Sequence, residues 1–299
     1  MRRLILNADD FGLTTGVNRA IAELHDAGAL TSATLMAGGA AFVDAVAIAK
    51  QRPALGVGCH IVLVDGTPAS PASEIPTLLG PDGKNFRPSL INFVRDLLLG
   101  LIKEDEIERE AIAQIQKLQN AGLTVTHLDT HKHTHIFLRV LRPLLRAAAQ
   151  CGIGCIRNPF EENWSRRLSD TRWLRMFEVS LLYRLKKGFL KQKMIRTAAV
   201  LISDGNVGIA VTGTLNASAL RRMFEKMPPG MWELVCHPGL NDADLDRIQT
   251  RLRGSRETER TALLAEIPQL VKNHPEIELI HYGNMVDGIP SAAKAAMRT

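Results

Sequence analysis

Apolar positions fall in short runs that fit buried strands, and most runs precede a segment whose apolar residues recur at helical spacing. The first pairs are Arg3–Ala8 with Val17–Ala27 and Leu30–Met36 with Phe42–Gln51. A third strand, Gly56–Leu63, leads into a Pro/Gly-rich stretch over 65–88, an apolar helix near Leu90–Ile102 and an amphipathic helix from Glu104 to Ala121. Thr124–Asp129 reads as strand, Leu138–Gln150 as helix and Gly154–Arg157 as strand. Further strands are expected at Ala198–Ile202, Gly208–Thr212, Glu233–Cys236 and Glu278–His281, with helices near Ala217–Lys226 and Ser255–Asn273. Gly28, Gly122 and Gly152 stand where helices should stop, a place that favours a left-handed residue. This alternation predicts a mostly parallel sheet covered by helices. Seven or so such units in 299 residues, with no repeat or linker dividing them, favour one α/β domain over 1–299, a closed or nearly closed (β/α) barrel.

Composition narrows the classes. With 45% apolar residues the chain can bury a real core. No uncharged apolar run approaches the ~18 residues of a membrane span. The opening M-R-R-L-I-L-N-A-D-D is too short in apolar residues for a secretory signal, so a cytoplasmic location is expected. The net charge of +6 comes from one place: residues 164–196 hold ten Lys/Arg against Asp170 and Glu178, a local +8 that leaves −2 for the rest. Aromatics at 5% offer no stacking platform, so no nucleic-acid partner is expected. Trp173, Leu174, Phe177, Leu181 and Leu182 lie at roughly helical spacing beside this charge, so 164–196 reads as a basic amphipathic insertion. It could pack on the barrel, or rest peripherally on the inner face of a membrane. Leu90–Ile102 reads as core, with a hydrophobic substrate groove as the alternative. The four cysteines have neither zinc-site nor disulfide spacing and read as free thiols. No glycine pattern fits a nucleotide phosphate.

Candidate chemistry gathers at strand ends. Leu4–Leu6 runs into Asp9 and Asp10, Gly56–Cys59 into His60, Val125–Thr126 into the stretch His127–His135, and Leu234–Cys236 into His237. In a parallel barrel the carboxyl ends of the strands share one face, where sites are built. Four of the nine residues from His127 to His135 are histidines; if the segment is extended, 127, 129, 131, 133 and 135 point the same way. Such a set with distant partners is how a His/Asp metal site is assembled, the surplus side chains supporting ligands or facing substrate. The neighbouring acids Asp9 and Asp10 suit a division into metal ligand and proton acceptor, although Asp10 could instead cap the following turn.

The motifs N-A-D-D-F-G (Asn7–Gly12), the strand-end His60, T-H-L-D-T-H-x-H-x-H (Thr126–His135) and H-P-G (His237–Gly239) resemble those of the YdjC-type carbohydrate deacetylases, which include chitooligosaccharide deacetylases. The segment His60–Pro68 and the nearby Glu74–Pro76 look closest to the hopanoid-biosynthesis-associated branch. The resemblance implies an irregular (β/α) barrel of the polysaccharide-deacetylase (NodB-like) type. It implies a metal site of Asp10, His60 and His131, Asp9 as general base and His237 as general acid. It also implies Arg157 orienting the base. Of the other side chains in the stretch His127–His135, Asp129, His133 and His135 read as supporting the ligands or facing substrate. One divalent cation is expected, zinc for a two-imidazole, one-carboxylate set and magnesium as second choice. The implied reaction is hydrolysis of the N-acetyl group of an N-acetylglucosamine-bearing substrate, an N-acetylglucosaminyl hopanoid or else soluble chitooligosaccharides. A phosphoesterase or sugar isomerase on a similar barrel, and a non-catalytic glycan or metal binder, are the competing readings. Homo-oligomerisation is left open.

Overall fold

The chain opens on a ten-residue strand, β1 (Arg2–Phe11), whose two faces have different tasks. Leu4, Leu6 and Ala8 join the main core, while Ile5, on the opposite face, belongs to a second small cluster. Both faces are covered, as a parallel strand demands. In this computed structural model, which describes residues 1–166, 183–197, 199–248 and 250–287, β1 is followed by helix α1 (Thr15–Asp26), β2 (Ser32–Leu35), α2 (Phe42–Lys50) and β3 (Gly56–Ile61). Then come α3 (Leu90–Leu98), α4 (Glu104–Asn120), β4 (Val125–Thr130) and α5 (Leu138–Gln150). The later strands are β5 (Gly205–Val207), β6 (Gly230–Cys236) and β7 (Ile277–Ile280), with helices Ala217–Lys226 and Arg253–Asn273 between them.

The seven strands among the described residues are all parallel, in the order β4-β3-β2-β1-β6-β5, and β7 also pairs with β1. Strand β6 takes one edge of β1 from Arg2 to Ala8; the other edge is shared, β7 pairing with Arg2–Ile5 and β2 with Asn7–Phe11. Thr31 closes the junction, its hydroxyl donating to Ile280 O (2.7 Å) and accepting from Leu6 N (3.1 Å). Between β4 and β5 the residues 155–161 act as an irregular stave, bridging Ile156 to Leu128 and Glu161 to Asn206. The sheet thus curls into an irregular, incomplete (β/α) barrel. Its lower interior is apolar (Ile5, Cys155, Ile280, Tyr282, Met285), and its upper interior is polar.

Several expectations need correcting. The alternation over 127–135 stops at Thr130: His131–Ile136 is a 3-10 turn in which Lys132 and His133 take left-handed φ of 57° and 52°. Only His127 and Asp129 share the inward face of β4. Gly154–Arg157 and Leu201 make isolated bridges rather than strands, and β5 occupies Gly205–Val207 where Gly208–Thr212 was expected. Helix α3 stops at Leu98, and Ile91, Leu98, Leu99 and Leu101 are exposed rather than core. Trp173, Leu174, Phe177, Leu181 and Leu182 lie outside the described residues. The four cysteines are free, and Cys59, Cys155 and Cys236 are buried.

Candidate active site

Strand β1 delivers two adjacent carboxylates to one place. Consecutive strand residues ordinarily point to opposite faces. Asp10 escapes this rule through a left-handed φ of 65°, and the pairing with β2 shifts register between Ala8 and Phe11. Both acids therefore reach the mouth of the curl, and both are buried. Asp10 does not cap α1; that role belongs to Thr14, whose side chain accepts from Val17 N.

Asp10 Oδ1 lies 3.6 Å from His60 Nε2 and 3.5 Å from His131 Nδ1, and it is buried without a hydrogen-bond partner. Around a tetrahedral ion with bonds of about 2.1 Å, ligand atoms sit about 3.4 Å apart. The spacing fits. The other nitrogen of His60, Nδ1, meets Asp129 Oδ1 at 2.8 Å, a contact that turns Nε2 toward Asp10 in the carboxylate–histidine pattern of metal sites. His60 and His131 approach edge to face, ring centroids 5.5 Å apart. Burial alone would lower the pKa of His60, but Asp129, Asp9 and Asp10 outweigh it and push it up to about 9. Burial would likewise raise the Asp10 carboxyl, yet Arg256 and His131 hold it well below the usual carboxylate range.

A second trio, Asp9, His60 and Asp129, is also close enough to hold an ion. That place is already taken by a cation. Buried Arg157 grips Asp9 with both terminal nitrogens, Nη1 to Oδ2 at 2.9 Å and Nη2 to Oδ1 at 2.7 Å; it also touches Asp129, and its Nε donates to Glu233 Oε1 at 2.9 Å. Asn7 Nδ2 (3.0 Å) and the Thr34 hydroxyl (3.2 Å) add donors to Asp9 Oδ1. Against the cost of burial, Arg157, His60 and His237 keep Asp9 ionised, its pKa below the ordinary range. Burial pushes the pKa of Glu233 up, against the opposing pull of Arg157. The Tyr282 hydroxyl donates to its other oxygen at 2.6 Å.

His237 follows β6 and places Nε2 3.7 Å from Asp9 Oδ2; its backbone N donates to Glu259 Oε2 (2.7 Å). His133 and His135 are set apart from the Asp10 trio. His135 Nδ1 meets the Thr130 hydroxyl at 2.6 Å, its Nε2 has no partner, and burial with Arg157 nearby pulls its pKa down to about 3. His133 Nδ1 is buried and unpartnered, with the His135 ring 6.4 Å away. His127 stacks on Tyr282 at 3.8 Å below the site.

Sequence reasoning missed Arg256 and Glu233. Arg256, 1% exposed on the helix Arg253–Asn273, donates to Asp10 Oδ2, while its Nε and Nη1 have no partner. It stands in a run of polar residues with three other arginines close by (251, 253 and 260), so nothing local marks it out. Glu233, between Trp232 and Leu234, was readable as an acid inside an apolar strand.

Comparison with known proteins places the chain among relatives. A carbohydrate deacetylase of Brevibacillus brevis is 43% identical over 148 residues, 50% of this chain and 56% of that protein. One from Geobacillus stearothermophilus is 42% identical over 134 residues, 45% of this chain and 51% of the relative. The chain thus spans about half the length of the curated relatives it matches. A crystal structure from Enterococcus faecalis, of a protein named provisionally for cellobiose-phosphate cleavage, superimposes with a TM-score of 0.74 at 22% identity. That match covers 95% of this chain and 98% of the other, and it shows the shared fold. The pattern of the YdjC-like proteins matches residues 3–270, and the chain belongs to that family.

Proposed function

We propose that the protein is a metal-dependent carbohydrate N-deacetylase acting on an N-acetylglucosamine-bearing substrate, with an N-acetylglucosaminyl hopanoid as the preferred form. The observation that carries the reading is the buried, unpartnered Asp10 Oδ1 between two imidazole nitrogens at tetrahedral spacing, beside a second carboxylate held ionised by Arg157. Asp10, His60 and His131 would hold the ion, zinc by their donor types. Such an ion supplies a Lewis acid that polarises the amide carbonyl and brings the pKa of water from 15.7 to roughly 7.

The remaining work falls to the chain. Asp9 accepts a proton from the attacking water, and Arg157, Asn7 and Thr34 keep it ionised and aimed. A protonated His237 donates to the amide nitrogen as the C–N bond breaks, so that acetate and a free amine leave. With Nε2 of His237 3.7 Å from Asp9 Oδ2, acceptor and donor stand side by side, where one bound amide can meet both. Asp129 holds His60 in the tautomer that presents Nε2. The lipid-linked substrate is drawn from the likeness of His60–Pro68 to the hopanoid-associated branch. Peripheral contact of 164–196 with the inner membrane face would bring the enzyme to such a substrate.

The test is acetate release from an N-acetylglucosaminyl hopanoid in detergent and from diacetylchitobiose, before and after chelation and zinc restoration. Release that chelator abolishes and zinc restores is expected, faster from the hopanoid. A faster chitobiose reaction would make the soluble sugar the substrate. No acetate from either would sink the hydrolase reading.

A further inference from the structure

The outer face of α3 carries the apolar Ile91 and Leu98 exposed beside Asn92 and Arg95, where a surface helix is ordinarily polar. The helix turns Phe93 and Leu97 inward, yet Ile91 is 80% exposed, Leu98 66%, and beyond its end Leu99 and Leu101 are 67% and 57% exposed. Scattered exposed leucines need no explanation; four within eleven residues form a patch.

The patch has a charged neighbour. Residues 183–197 contain six Lys/Arg and no acid, and Arg184, Lys187, Lys191, Lys193 and Arg196 are exposed, as is Leu185. Lys186 alone is drawn inward, to Glu162. The first two residues of α5 join the two features. Arg139 Nη2 donates to Ile102 O at 3.3 Å and its Nη1 crowds Gly100, while the Leu138 side chain packs against Gly188. Helices α4 and α5 both start at the carboxyl ends of the strands, so patch and cations border the mouth that holds Asp9 and Asp10.

We propose that Ile91, Leu98, Leu99 and Leu101, flanked by the cations of residues 184–196, form one face that rests on an anionic lipid bilayer. Leucines entering the acyl boundary, with lysines and arginines at the headgroups, are the chemistry of a peripheral interfacial helix. Among the described residues no helix is long and apolar enough to cross a membrane, so the contact is peripheral. The unbroken run of positive charge selects a bilayer over a second copy of the chain, whose corresponding face would repel it. The purpose of the face, presenting the mouth to a lipid-linked sugar, rests on the proposed substrate; its geometry does not.

Vesicle flotation of the full chain tests the proposal, using phosphatidylcholine vesicles and equimolar phosphatidylcholine–phosphatidylglycerol vesicles at low and high salt. Partitioning at least ~10-fold stronger to the anionic vesicles, reduced by salt, is expected. The triple change Leu98→Ser, Leu99→Ser, Leu101→Ser should weaken it at least ~10-fold. Lys187→Glu, Lys191→Glu, Lys193→Glu should erase the preference for anionic lipid; both variants should melt like the parent and release acetate from diacetylchitobiose at its rate. Equal recovery with both vesicle types, or unchanged binding after the leucine changes, overturns the proposal. So does a parent dimer in light scattering that the serine variant dissolves, which would give the face to a second copy. Absence of acetate release by the parent would count against the hydrolase reading and leave the flotation result standing.

Discussion

Asp9 and Asp10 are chain neighbours with separate partners: Arg157 clamps the first, and Arg256 the second. Changing either should therefore fail differently. Asp9→Asn keeps the Asp10 trio, so bound zinc by elemental analysis should stay near parent level while kcat falls ~10²–10⁴-fold. His60→Ala or His131→Ala should instead remove the ion. Asp129→Asn and Arg256→Met leave the ligands in place and loosen their hold; zinc affinity should drop ~10–100-fold in a competition titration. The raised pKa of His60, about 9, adds a pH dependence to the metal-free protein. Protonated His60 is stabilised by its carboxylates, so its contribution is complete below the unfolded pKa near 6.5 and disappears as pH rises through about 9. Zinc must displace that proton, so its affinity should climb over the same interval. Chelated protein scanned by differential calorimetry should melt lower at pH 9 than at pH 6.5.

At the scale of elements, the carboxyl ends of β1, β3, β4 and β6 were legible because each passes from an apolar run into Asp or His. Period-two alternation correctly places Asp129 and His127 on one face of β4. It fails at His131 because Lys132 and His133 turn left-handed, which no hydrophobic pattern announces. The turn is what lifts His131 over Asp10 and carries His133 and His135 away from the trio. Arg256 was hidden for another reason: its helix is polar along much of its length, and its burial is decided by tertiary packing on Asp10 and Gly239. Gly58 in β3 shows strand-to-strand dependence of the same kind. A Cβ there would lie 2.3 Å from Cε1 of His127, whose ring is held between Gly58 and Tyr282. Gly58→Ala should destabilise the fold by ~1–3 kcal/mol in urea unfolding, with no loss of ligand groups.

For the whole molecule, the proposed ion joins the ends of three strands, β1, β3 and β4. An ion that binds the folded chain alone stabilises it by about 2.7 kcal/mol at 100-fold excess over Kd. Zinc should accordingly raise Tm by several degrees in the parent and leave His131→Ala unmoved in a thermal melt. The barrel reading also held at this scale, because the count of β/α units reflects chain-wide architecture; the stave 155–161 was legible only in its first part, read as the strand Gly154–Arg157, and it makes isolated bridges in place of a ladder. The guanidinium that holds Asp9 comes 148 residues after it, and the one that holds Asp10 comes 246 residues after it. While the polypeptide is being synthesised, its first strand therefore emerges with two adjacent anions lacking their counter-charges. The ribosome must deliver 157 residues before Arg157 can neutralise the first and 256 before Arg256 can neutralise the second, so a prematurely terminated product ending before Arg256 should lack the proposed hydrolase activity even if its early β/α units have collapsed.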